Sequence, residues 1–204
     1  WRADSSLDNC GSYILLRQRN QPQFCSVSLQ PGITSQQTLL PAPTRGHRVT
    51  FSEEAAEFSA DLSTGVSAAD NDQQQLSATL TGVVSSEYNG EVRCLTLCNH
   101  SRREQELELT SSAELVLGDA AGDSAHPAFS KLFVQTEFVS EHGAIIATRR
   151  PRTANEQPLW LAHFVVIEGG GSSNLQYETD RAKFFGSGTS LQQAQAMRPD
   201  QLLS

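Results

Sequence analysis

Apolar and polar residues alternate one by one along most of this chain. In EQELELTSSAELVL, Leu107, Leu109, Ser111, Ala113, Leu115 and Leu117 fall on one side, and Glu106, Glu108, Thr110, Ser112 and Glu114 on the other. A helix would scatter those leucines around its circumference, whereas a half-buried strand sorts them, so the run predicts one long strand. QQLSATLTGVV repeats the pattern with Leu76, Ala78, Leu80, Gly82 and Val84. SSEYNGE then supplies Asn89-Gly90, a hairpin signal, EVRCLTLCN runs back, and NHSRRE leads into the long strand. The spacing predicts an antiparallel meander of these three strands. Further strands are expected at SYILLRQR, HRVTFS, AEFSADL, SKLFVQTEFV, GAIIATRR and LWLAHFVVIE. A helical turn or two is expected only near the C-terminus, in SLQQAQAM. The pattern is all-β, an antiparallel sandwich.

LQPGITSQQTLLPAPTRG and GDAAGDSAHPAF read as long connections and EGGGSSN as a flexible tip. Loops on a rigid β scaffold are usual places for binding. The 204 residues fit one sandwich domain spanning 1–204. With 38% hydrophobic and 19% charged residues, a real core forms and global disorder is excluded. Twenty-three acidic against 15 basic side chains give a net charge of −8, which argues against nucleic acid or an anionic membrane surface as partner. Neutral ligands such as sugars, or another protein surface, stay open. Nothing reads as a signal peptide or membrane span, and the start at Trp1 suggests a piece of a larger protein.

The cysteines are Cys10, Cys25, Cys94 and Cys98. Cys94 and Cys98 share one face of a strand at a separation of roughly 13 Å, too far for a disulfide. Small buried hydrophobes are the expected role, rather than metal ligands. Cys10 and Cys25 could pair, but their spacing does not demand it. A reducing compartment fits best.

AHPAFSKLFVQTEF, the downstream ATRRPR, WLAH at Trp160–His163 and YETDRAKFFG carry a family resemblance. Together they resemble the N-terminal β-supersandwich domain of glycoside hydrolase family 94, in the form found in cyclic β-1,2-glucan synthases and once classed as glycosyltransferase family 36. DSSLDNCGSYILLRQ is similar to the start of that domain, with Cys10 where the family places Trp, and GEVRCLTLCNHSRREQELELTSSAELVL to its central meander. The likeness spans nearly the whole chain in order. It implies a parent that is an inverting phosphorylase or related glucan-processing enzyme, on the cytoplasmic face of a possibly membrane-anchored bacterial assembly. There a following (α/α)6 barrel carries the general acid and inorganic phosphate attacks the anomeric carbon. It also implies that the last strands of the sandwich lie beyond Leu203. On this resemblance the chain is inactive alone and supplies structure, homodimer contacts and a loop over a β-glucan or oligosaccharide. An independent carbohydrate-binding module and a purely structural dimerisation domain are the alternatives.

Glycoside chemistry needs two flanking carboxyls, or one acid and an external nucleophile. The acids here either alternate along strands or lie in loops, which reads as a solvated surface. Glu137, inside the family-like motif, is a candidate groove residue, with a structural salt bridge as the plainer reading. Arg149, Arg150 and Arg152 could hold phosphate or sugar hydroxyls, or pair with Glu137 or Asp180 to pin a loop. His126, Phe129 and Lys131 combine an aromatic with polar donors, as a pyranose requires; alternatively Phe129 and Phe133 fill the core while Lys131 snorkels. Asp180 with Arg181 reads as a pair locking a loop, with Gly186 permitting its turn. No nucleophile–base constellation or phosphate-cradling glycine loop is present, and the histidines are dispersed, so no catalytic residue, metal or cofactor is expected.

Overall fold

The computed structural model describes residues 11–19, 24–28, 44–63, 75–118, 120–125, 131–151, 153, 155–169, 174–186 and 194–198. Among these, ten strands form three antiparallel sheets. The first has the order β2-β1-β7, from Phe24–Ser26, Ser12–Gln18 and Leu107–Ala113. The second is a meander, β3-β4-β5-β6, from Thr44–Phe51, Ala55–Ser63, Gln75–Val84 and Glu91–Asn99. The third, β10-β9-β8, comprises Trp160–Phe164, Ala144–Arg149 and Val134–Val139. Two short helices, α1 (Ala120–Ala125) and α2 (Arg181–Phe185), and a 3₁₀ turn at Gln195–Met197 complete the described elements.

The expected meander exists but is displaced by one strand. β5 and β6 pair in register, Leu80 opposite Leu95 and Val84 opposite Glu91, yet β7 leaves that sheet and pairs with β1, Leu109 opposite Leu16. The chain crosses between layers at 100–106, where Asn99 Oδ1 accepts from Ser101 N and Gln105 Nε2, and Arg19 N donates to Glu106 O. The hairpin before β6 is wider than a two-residue Asn-Gly turn. Ser85 Oγ accepts from Glu87 N and Tyr88 N, and Ser52 Oγ closes the preceding β3–β4 hairpin in the same manner.

Two cores meet at β1, whose residues 13–17 are all buried. Ile14 and Leu16 face the meander and pack with Val27, Ala60, Leu62, Leu76, Ala78 and Leu80. Tyr13 and Leu15 face the other way and pack with Phe185, Ala194 and Met197. A strand covered on both faces needs a continuous apolar run, which YILL supplies. α2 is set by Asp180, whose carboxylate accepts from Ala182 N and Lys183 N as an N-cap. Gly186 (φ 60°) ends it, donating to Ala182 O. α1 and α2 fall where connections were expected, because six- and five-residue helices leave little periodic signature. Of SLQQAQAM, only the 3₁₀ turn lies within the described residues.

The long predicted strand stops at Ala113, and the backbone after it bends through Leu117, a non-glycine residue at φ 41°. Its polar side is solvated only in part: Glu106 is exposed, but Glu108, Thr110, Ser112 and Glu114 are half-buried. Arg17 Nη2 pairs with Glu108, opposite it in the ladder, and Arg17 Nη1 donates to Met197 O beneath the C-terminal elements.

Candidate carbohydrate-facing surface

The segment just past β7 gathers three of the cations singled out in the sequence. Glu114 bridges two of them, its Oε2 accepting from Lys131 Nζ and its Oε1 from Arg181 Nε at 2.9 Å. Arg181 also lies over the Phe185 ring, 4.5 Å from its centroid. Asp180 and Arg181 therefore do not lock a loop by pairing: the carboxylate caps α2 and the guanidinium reaches Glu114. Lys131 ends in an ion pair rather than snorkelling to water.

Arg149 closes β9 and is only 6% exposed. Its Nη1 donates to Leu117 O at 3.4 Å, while Nε and Nη2 have no hydrogen-bond partner among the described residues. The guanidinium lies against Gly118, where any Cβ would collide with it. It thus pins the bend after β7 through a carbonyl, and not through Glu137 or Asp180. Arg150 is exposed, its backbone N donating to Phe133 O. Glu137 is exposed on β8. His126, Phe129 and Arg152 lie outside the described residues.

The third sheet presents a surface that the sequence reasoning missed. On one face Phe138 stacks on Tyr177 (3.9 Å between centroids), and Leu161, Ala147 and His163 are at least half covered. The other face carries Trp160, Ala162 and Phe164 on β10, Thr148, Ile146 and Ala144 directly across on β9, and Gln135, Glu137 and Val139 on β8. Trp160 is 66% exposed and Phe164 61%. Four residues apart on one strand, the two rings are separated by about 13 Å. The Thr148 hydroxyl donates to Leu159 O at 3.0 Å and keeps its acceptor lone pairs. The available signal was the W-x-A-x-F alternation itself, which reads equally well as a buried face.

The cysteine expectation is overturned in part. Cys94 and Cys98 are exposed free thiols, because Leu95 and Leu97 take the core-facing positions of β6 and alternation sends the cysteines outward. Cys98 Sγ lies 3.8 Å from His100 Nδ1, whose Nε2 is 2.8 Å from Ser77 Oγ. Cys25 is also a free thiol, packed against the core, and burial pushes its pKa up to about 11. No group of three or more metal-ligating side chains occurs among the described residues.

A stack of antiparallel sheets with few helical turns is the architecture of a supersandwich, and sequence comparison agrees. The chain belongs to the glycosyl hydrolase 94 family as its supersandwich domain, the family profile matching residues 1–204. A cyclic beta-(1,2)-glucan synthase, NdvB of Rhizobium meliloti (strain 1021), is 31% identical over 205 residues, covering 100% of this chain. The chain spans 6% of that relative's length. No described helix is long and apolar enough to cross a membrane.

Proposed function

We propose that this chain is a non-catalytic carbohydrate-handling and assembly domain of a β-glucan-processing enzyme. In that role it borders the active site of a helical barrel elsewhere in the same polypeptide and contributes to a homodimer, on the cytoplasmic side of the membrane. The observation that carries the reading is how two half-buried carboxylates, Glu114 and Glu108, and the exposed Asp180 are engaged. Glu114 is held between Lys131 and Arg181, Glu108 is paired with Arg17, and Asp180 is tied to the backbone of α2. A general acid must be free to reach a glycosidic oxygen, and a carboxylate bonded to two cations is committed to those contacts. These acids hold the fold. The family supplies the context, glycoside chemistry, and the NdvB relative's name supplies the substrate class.

The test is turnover by the chain alone. Incubated with linear β-1,2-glucan, with and without inorganic phosphate, it is expected to release neither glucose 1-phosphate nor shorter glucan. Product formation that survives repurification and is lost in Glu137→Gln would overturn the reading.

A further inference from the structure

We infer that the open face of the third sheet is a glucan-binding platform, with Trp160 and Phe164 as two stacking positions along one oligosaccharide. The inference rests on the proposed carbohydrate-handling role and gives it a location. An aromatic ring exposed on a flat sheet offers the apolar area that the C–H face of a pyranose seeks, and rim hydroxyls then require nearby polar groups. Both elements are present. Trp160 and Phe164 stand on the edge strand, open to a chain running along it, and Ala162 between them leaves no bulk in the way. Across the sheet, Thr148, Gln135 and Glu137 line the same face and offer hydroxyl, amide and carboxylate. At the Trp160 end, Arg150 is exposed one residue beyond β9.

Charge decides which occupant fits. Among the described residues the face carries one carboxylate, Glu137, with exposed Arg150 beyond its Trp160 end and exposed Glu141 beyond its Phe164 end, so neither sign dominates it, while the chain as a whole carries −8. An anionic polymer would be repelled by the surrounding field, and a cationic one would meet Arg150 beside Trp160. A neutral polyhydroxyl chain meets no such penalty and can use Glu137 and Arg150 as strong hydrogen-bonding partners. The rings lie about 13 Å apart along β10, so an oligosaccharide that stacks on both places intervening sugar over Ala162 and Ile146. Each stacking contact tightens binding without requiring a deep pocket.

The test uses the full chain and a linear β-1,2-glucopentaose, with a polygalacturonate oligomer as the anionic control. The sequence has only two tryptophans, Trp1 and Trp160, so a Trp1→Phe background reports Trp160 fluorescence alone. Saturable quenching or a blue shift with the neutral glucan, and none with the polyanion, is expected. Trp160→Ala should weaken binding about tenfold and Phe164→Ala about fivefold by calorimetry, whereas Trp160→Phe keeps a stacking ring and restores most of the affinity. Unfolding midpoints of all variants near that of the parent chain confirm that the fold persists. Absence of glucan binding by the intact chain overturns the platform but leaves the non-catalytic reading standing. Undiminished affinity in Trp160→Ala and Phe164→Ala also overturns it, by moving the sugar elsewhere. Sedimentation showing a dimer that Trp160→Ala dissociates, without glucan binding, assigns the face to a second copy and overturns it too.

Discussion

β1 of the first sheet and β10 of the third are patterned and covered differently: YILL is a continuous apolar run, whereas WLAHF sets its two large rings on one face. On β1, Leu15 is 1% exposed because the meander covers one face of its sheet and the α2–3₁₀ segment covers the other. On β10, Trp160 and Phe164 share a face and stay 66% and 61% exposed, although Ala144 across from Phe164 is buried. Alternation tells which residues share a face. Whether that face is a core or a display surface depends on a second layer, which comes from elsewhere in the chain.

The sharpest way to break this contrast is to truncate one large side chain on each side of it. Leu15→Ala is expected to cost about 3 kcal/mol of unfolding free energy, the usual range for a fully packed leucine. Phe164→Ala should cost less than about 0.5 kcal/mol, as expected for an exposed site. Urea titration followed by far-ultraviolet dichroism measures both, and equal losses would mean that β10 is covered in solution. Next in size is Gly186→Ala, which forces a side chain into φ 60° and against Gln195, where α2 turns toward the 3₁₀ segment. About 1–2 kcal/mol is expected, and an unchanged midpoint would show that the cover over Leu15 does not depend on that turn. Glu114→Ala releases Lys131 and Arg181 together. Both cations retain contact with solvent, so the loss should be smaller, about 1 kcal/mol, and should shrink further in high salt.

These contrasts also explain what could be read from the residues. All-β character, nine of the ten strands and the pairing of β5 with β6 follow from period-two patterning, a local property. The exit of β7 to pair with β1 was not legible, because Leu107 needs only an apolar neighbour and either sheet provides one. β2 was missed because three residues are too few to establish a period. Among the candidate site residues, the partners of Lys131 and Arg181 were not legible. Lys131 and Arg181 converge on Glu114 from 17 and 67 residues away, and no local spacing encodes that. Cys94 and Cys98 were misread although the information was present: Leu95 and Leu97 alternate with them, and only one set can face the core.

The smallest expected effect concerns how the third sheet is linked to the rest. His163 lies on the covered face of β10, and burial first, then the Arg93 guanidinium of β6, holds its imidazole below the ordinary value of 6.5. Arg93 in turn donates to Ser12 O and Oγ at the start of β1 and pairs with Glu91 at 2.7 Å, so it connects the meander to the first sheet. The folded chain thus favours the neutral ring, whereas the unfolded chain takes up the proton as pH falls through 6.5. Stability from this site is complete above that value and declines as pH drops toward and through the depressed folded-state pKa, where the loss levels off. His163→Gln removes the dependence while keeping a polar side chain of similar reach. Comparing urea midpoints at about pH 7.5 and pH 5.5, the parent chain should lose more than the variant, the carboxylates contributing alike to both. Equal losses would mean that the imidazole does not feel Arg93, and that the third sheet is free of the electrostatic contact between β10 and β6.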